Sequence, residues 1–369
     1  MRVLALNPFH GGSHRAFIDG WMRHSRHDFT LLTLPACHWK WRMRQAAIHF
    51  ARLLREPEYS QQTWDVLWVT DMLNLAELRG LCDSRIRQLP VVMYFHENQL
   101  TYPSRLTEVE RQRDLHFGMT NIISALAADE VWWNSNFHRE EFLTAVDRLH
   151  QHVPDHSLSF AREAIRGKSQ VCPPGVDPFS EPHETTRGSV PHLLWAARWE
   201  HDKRPEQFFD VIDILDAEGL PFELSVIGQS YRDTPACFAK AYERHRDRIR
   251  HWGFLESREA YREALMSADI YVSTAAHEFF GISTVEAITA GCFPLLPNRL
   301  SYPELIENRP EYLYDDGQSL RERLGELITT FHERRDLVER ASAARMATAR
   351  FLWSRIVPTM DDQLERLIR

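Results

Sequence analysis

Glu278-Phe279-Phe280-Gly281-Ile282-Ser283-Thr284-Val285-Glu286 follows a short apolar run, Ile270–Ser273, and opens a helical pattern near Gly281. Strand, glycine-bearing loop and helix in that order make one α/β unit, and open α/β sheets bind ligands beyond the carboxyl ends of their strands. The helix start presents the backbone N–H groups of Gly281, Ile282 and Ser283, together with about half a positive charge from the helix dipole. A phosphate suits that place, and Gly281 lets the backbone come close. Glu286, further into the helix, is spaced to accept hydrogen bonds from a diol such as ribose. Glu278, ahead of the helix, is spaced to hold sugar hydroxyls. A capped helix carrying two solvated glutamates has the same spacing, so the motif needs support from elsewhere in the chain.

The rest of the sequence repeats the same unit. Apolar runs at Val3–Asn7, Phe29–Leu34, Val66–Thr70, Val91–Phe95 and Glu130–Asn134 alternate with helical patterns such as Leu115–Ala128 and Phe137–Leu149. After a Pro/Gly-rich stretch, Pro173–Pro178, runs follow at His192–Ala197, Glu223–Ile227, Ile249–Gly253, Ile270–Ser273 and Phe293–Leu296. Such alternation predicts parallel α/β units with right-handed crossovers. The 369 residues suit two domains. The expectation is an α/β protein of two Rossmann-like domains: residues 1–175, residues 190–350 for the donor, and a terminal helix, 351–369, crossing back to the first domain.

Further candidates lie at other strand ends. Arg198 and Lys203, after His192–Ala197, are a cation pair that can neutralise a leaving diphosphate, by a fork of N–H groups and by a point charge. Glu200 and Asp202 beside them also allow a plain surface ion-pair cluster. Gly11-Gly12-Ser13-His14 follows the first strand, and paired glycines there admit close approach of a ligand, although such a turn is a weak signal. His96-Glu97-Asn98 follows Val91–Phe95 and would offer an imidazole to a sugar hydroxyl. Asn134-Ser135-Asn136 occupies the same kind of position.

Composition sets limits. Apolar residues make up 43% and charged residues 26%, an ordinary globular balance. No apolar run approaches the roughly 20 residues that span a bilayer, and the N-terminus reads as a strand, not a secretion signal. The five scattered cysteines form no C-x-x-C pair and suit a reducing, cytoplasmic setting. Nowhere do two aspartates stand two apart, and there is no H-E-x-x-H, Walker A, G-x-S-x-G or G-x-G-x-x-G pattern. The expectation is no metal and no cofactor besides a nucleotide-sugar donor. The net charge of −8 gives no general attraction for nucleic acid. Yet residues 1–150 balance 17 Lys/Arg with 17 Asp/Glu, and residues 38–55 carry Lys40, Arg42, Arg44, Arg52 and Arg55 with no acid.

The set Gly11-Gly12, His96, Arg198 with Lys203, and Glu278-x7-Glu286, in this order, resembles the E-x7-E group of retaining glycosyltransferases (glycosyltransferase family 4-like). That resemblance implies the GT-B fold, two Rossmann-like domains with parallel sheets facing across a cleft, and spans essentially the whole chain. It implies that Arg198 and Lys203 contact the donor diphosphate, with Gly11 and Gly12 also on the donor. It further implies that Glu286 binds ribose, that Glu278 with the following loop amides of Gly281, Ile282 and Ser283 holds the transferred sugar, and that His96 lies near that sugar, which makes Glu278 and His96 the catalytic candidates. A narrower resemblance rests on Asn7–His14, Thr33–Arg42, Tyr94–Pro103 and Val153–His156. These segments look like the tRNA-queuosine mannosyltransferase family, which implies GDP-mannose as donor and queuosine of an aspartate tRNA as acceptor. Acceptor-side candidates are then His14, Trp39, Lys40, Arg42, Arg44, Glu97 and Asn98. Trp39 and Trp41 among cations fit base stacking beside phosphate contacts, and equally fit a helix whose aromatics face the core. Two other readings stay open: a same-fold transferase for a lipid, glycan or small molecule, whose basic helix would meet a membrane, and a non-catalytic binder of nucleotide sugar or RNA. The oligomeric state has no signature.

Overall fold

The computed structural model describes residues 1–103, 108–150, 158–180, 188–230, 233–331 and 334–368. Val153–His156, quoted above, lies outside the described residues. The chain divides into two compact units, Met1–Gly175 with Trp353–Arg369, and Val176–Leu352.

The first unit is a six-stranded parallel sheet. Its strands are β1 (Arg2–His10), β2 (Asp28–Pro35), β3 (Val66–Thr70), β4 (Val91–Phe95), β5 (Glu130–Trp133) and β6 (Ser169–Val171), in the order β2-β1-β3-β4-β5-β6. Every residue of β3 and β4 is buried, as expected of parallel strands covered on both faces. The Trp353–Leu367 helix packs on the Gly12–His24 helix. Buried Asp361 accepts from Trp21 Nε1 at 2.9 Å, Ser25 Oγ at 2.8 Å and the Arg26 amide at 2.9 Å, while the Trp353 ring lies against Gly20 and Gly175.

The second unit repeats the plan with β7 (His192–Ala196), β8 (Glu223–Ile227), β9 (Ile249–Gly253), β10 (Ile270–Val272), β11 (Phe293–Pro297) and β12 (Leu313–Tyr314), ordered β12-β11-β10-β7-β8-β9. It begins at Val176, ahead of the expected residue 190. Val176 forms a parallel bridge to Leu352, and its N–H donates to the Phe351 carbonyl at 2.9 Å. Two strands escape the apolar-run reading. β6 is only three residues of mixed polarity, Ser-Gln-Val, and β12 is only two residues. Among the described residues, no helix is long and apolar enough to cross a membrane, and no three His, Cys, Asp or Glu side chains gather as a metal site would require.

Candidate functional site

In the second unit the candidates gather at the carboxyl ends of β7 and β10. Gly281, in the left-handed region at φ 93°, turns the chain into the Ile282–Thr289 helix without a side-chain cap. A β-carbon there would crowd Thr284 Oγ1 at 3.3 Å, but it is chiefly the backbone conformation that favours glycine. The loop is held from beneath, where Ser301 Oγ donates to the Phe280 carbonyl at 2.9 Å and Ser273 Oγ meets the Tyr302 hydroxyl at 2.7 Å.

Lys203 is the electrostatic centre. It is only 6% exposed, and its Nζ donates to the His277 carbonyl at 2.6 Å and to Glu278 Oε2 at 3.3 Å, with Asp202 Oδ2 at 3.2 Å. Burial pulls its pKa down, but Glu278 and Asp202 together outweigh burial, and the net direction is upward. The ammonium therefore stays charged. Arg198 lies close enough to oppose that charge, is itself more exposed, and pairs with Glu200 at 3.3 Å. Lys203, Glu278, Ser283, Thr274 and Tyr302 line one small pocket. The sequence assigned Lys203 to phosphate and Glu278 to sugar separately; the fold joins them in one ion pair.

Glu286 is buried one helix turn away. Its Oε2 accepts from the Tyr261 hydroxyl at 2.9 Å, and Arg258 stands 3.8 Å from Oε1. Burial is the main cause raising its pKa, and the Tyr261 bond and Arg258 oppose that rise. Tyr261 and Arg258 were missed in the sequence. They lie on the Arg258–Ser267 helix, and nothing in their spacing points at residue 286.

In the first unit, the His14 and His96 rings pack against each other with centroids 4.0 Å apart and planes tilted by 33°. The His96 amide donates to Asp71 Oδ1 at 2.9 Å, and Asp71 is 1% exposed, its buried Oδ2 meeting no hydrogen-bond donor among the described residues. Burial and then Glu97 hold the Asp71 carboxyl well above the usual carboxylate range. Burial, with His14 and His138, holds the His96 ring well below the usual histidine range, hence neutral near pH 7. Asp71 follows β3 as His96 follows β4, and that parallel was the signal available for finding it.

Other candidates take structural places. Gly11 is extended at φ −165°, and a β-carbon on it would lie 2.4 Å from Ala36 Cβ, so packing alone accounts for glycine there. Gly12, at φ 50°, faces open space. Asn98 is fully buried, and its Oδ1 caps the amides of Leu100 and Thr101, each at 3.0 Å. The loop itself thus occupies the side chain that was expected at the acceptor. Glu97 Oε1 accepts from Gln99 Nε2 at 3.0 Å and remains partly exposed. Asn134 donates to the His96 carbonyl at 2.9 Å.

The basic run forms the Trp39–Leu53 helix. Trp39 turns inward, its ring 5.1 Å from Phe117 in a small cluster with Met43 and Met72. The ring expected as a stacking platform is thus partly buried against this cluster. Trp41 is the exposed ring of the pair. Lys40 pairs with Asp114 at 2.5 Å, Arg42 donates to the Pro35 carbonyl at 3.0 Å, and the Arg44 guanidinium lies 5.5 Å from the Phe117 ring centre.

Comparison with known proteins follows this division. Residues 2–176 match the family described as tRNA-queuosine alpha-mannosyltransferase N-terminal, and residues 180–344 match glycosyl transferases group 1. The chain is 37% identical over 333 residues to a Drosophila melanogaster tRNA-queuosine alpha-mannosyltransferase, covering 87% of this chain and 85% of that protein. Among solved structures it is similar to the sucrose-phosphate synthase of Thermosynechococcus elongatus, with TM-score 0.71, 14% identity and coverage of 100% and 99%. It is also similar to Anabaena HepE in complex with UDP and glucose, with TM-score 0.67, 17% identity and coverage of 99% and 100%. These likenesses make the fold GT-B.

Proposed function

The chain belongs to the tRNA-queuosine alpha-mannosyltransferase family, and from that premise we propose that it moves mannose from GDP-mannose onto queuosine in the anticodon loop of an aspartate tRNA. The bond from the anomeric carbon to the diphosphate breaks, a bond to a queuosine hydroxyl forms, and GDP leaves, with the hydroxyl proton passing to it. An α-linked donor that yields an α-linked product keeps its anomeric configuration, so the enzyme is a retaining one.

The observation that carries the donor half of this reading is the buried Lys203 ammonium beside Glu278 and Ser283, at the uncapped start of the Ile282–Thr289 helix. A fixed cation and free-standing amides are what a departing diphosphate needs, since they stabilise charge without reorganising at the moment of reaction. Arg198 adds a second cation. Glu286 accepts the ribose hydroxyls, with Tyr261 fixing its carboxylate. Glu278 orients the mannose. On the acceptor side, neutral His96 and the neighbouring His14 offer ring nitrogens to hydroxyls, and Glu97 offers a carboxylate. Because a cation pair and helix amides take the diphosphate, the reaction runs without a divalent metal.

The test is release of labelled mannose and GDP from GDP-mannose by the protein in a strong chelator, beside other nucleotide sugars. Turnover of GDP-mannose in chelator supports the reading. A requirement for magnesium or manganese, or preference for another donor, contradicts it.

A further inference from the structure

We propose that the outward face of the Trp39–Leu53 helix, carrying Trp41, Arg44, Ile48 and Arg52, docks a single-stranded RNA loop with one base stacked on Trp41. The inference rests on the tRNA reading above and names the surface that would serve it.

Positions 41, 44, 48 and 52 fall on one side of a helix. All four are exposed, Trp41 at 65% and Ile48 at 60%. The opposite side, Met43, Ala46, Ala47, Phe50 and Ala51, is buried in the unit. A single exposed apolar residue needs no explanation. Here a tryptophan and an isoleucine lie two turns apart with an arginine between them, on a segment with no acid from residue 38 to 55. The cations flanking the ring are held in place. Lys40 is fixed by Asp114, and Arg42 by the Pro35 carbonyl and Cys37 Sγ. An aromatic platform flanked by fixed cations meets the π-face of a base and the phosphates on either side of it.

The helix starts where an acceptor must arrive. Trp39 packs with Phe9 in one small cluster, the Phe9 ring centre is 5.5 Å from His14, and the His14 ring lies 4.0 Å from that of His96. A membrane-surface helix would instead present a continuous apolar face. In this helix that face is already buried, and only Trp41 and Ile48 remain outside it.

The test measures binding of a queuosine-bearing tRNA, and of its anticodon stem-loop, to the full chain over a range of salt concentrations. Trp41→Ala should raise Kd about tenfold or more at every salt concentration, and Trp41→Phe should recover most of the affinity. Arg44→Gln should flatten the logarithmic salt slope by about 0.7. The melting temperature of Trp41→Ala should match the wild type, because the ring is outside the core. Wild-type affinity in Trp41→Ala overturns the inference. So does loss, in that variant, of binding to phosphatidylserine vesicles or of a dimer seen by sedimentation while tRNA affinity is kept. Binding is read without turnover. A chain that binds tRNA through Trp41 yet moves no mannose supports this surface and sinks the proposed function. A chain that moves mannose whether or not Trp41 is present does the reverse.

Discussion

Lys203 Nζ stands 3.3 Å from Glu278 Oε2, so the cation expected at the diphosphate and the carboxylate expected at the sugar are one buried pair. Removing either partner alone strands the other, and unpaired buried charge is costly. Lys203→Met and Glu278→Met should therefore each lower the melting temperature and cut donor turnover about ten- to hundredfold. The double variant should be less destabilised than the sum of the two. A double-mutant cycle on melting and donor kinetics checks this, and strict additivity contradicts it.

Glu286 and Tyr261 should behave as a nucleotide-holding pair. Tyr261→Phe removes only the hydroxyl that donates to Glu286, and should weaken binding of free GDP and of GDP-mannose alike, by about tenfold. Glu286→Ala should do the same more severely. Glu278→Gln should spare free GDP and impair transfer. Calorimetric titration of GDP into the three variants separates them, and equal losses reject the division of roles.

Gly11 and Gly12 should fail for different reasons. In Gly11→Ala the new β-carbon meets Ala36 Cβ at 2.4 Å, an overpacking cost of about 1–3 kcal/mol, and Ala36→Gly in the same chain should restore stability. Gly12→Ala meets nothing within 4 Å but sits at φ 50°, a conformational cost of about 1–2 kcal/mol that Ala36→Gly should not relieve. Denaturant melts of the four variants decide this. Rescue of both by Ala36→Gly, or of neither, would falsify the steric account of Gly11.

Stability should fall on mild acidification. Burial, partly offset by the Nδ1 hydrogen bond to the Ser267 carbonyl, lowers the His192 pKa to about 4, and Nε2 accepts from Ser225 Oγ at 2.7 Å. The folded chain thus holds the ring neutral, while the unfolded chain takes up a proton near pH 6.5. The stabilisation is complete above pH 6.5 and is lost as pH drops toward 4, roughly 3 kcal/mol over the whole window. His277, also lowered to about 4 mainly by burial and then Lys203, adds in the same direction. His192→Gln should flatten the dependence of unfolding free energy on pH between 7 and 4.5. An unchanged slope contradicts the assignment.

The fold was legible because most of the strands carry short apolar or β-branched runs between helical patterns. Val66–Thr70, Val91–Phe95, Glu223–Ile227 and Ile249–Gly253 were read residue for residue. β6 and β12 were not, since such short pairings take their stability from neighbouring strands and leave no pattern of their own. At the site, residues following strands were legible by position, as Lys203, Glu278 and His96 illustrate. Residues that converge only through tertiary packing were not. Tyr261 reaches Glu286 from another helix, whereas Asp71, directly after β3, held a position of the legible kind and was passed over. Trp39 and Trp41 alternate in sequence, and which of them faces water is decided by Phe117, far along the chain.

The central claim is transfer of mannose to queuosine, and it is read most directly on the nucleoside itself. Queuosine-bearing tRNA and the same tRNA lacking queuosine are incubated with the protein and GDP-mannose in chelator, digested, and examined by mass spectrometry. The account predicts that queuosine gains one hexose, released by an α-mannosidase, in the wild type, that the gain is sharply reduced in Lys203→Met, and that tRNA lacking queuosine is unchanged. Queuosine that stays unmodified while the protein turns over GDP-mannose, or a hexose found on tRNA lacking queuosine, would contradict it.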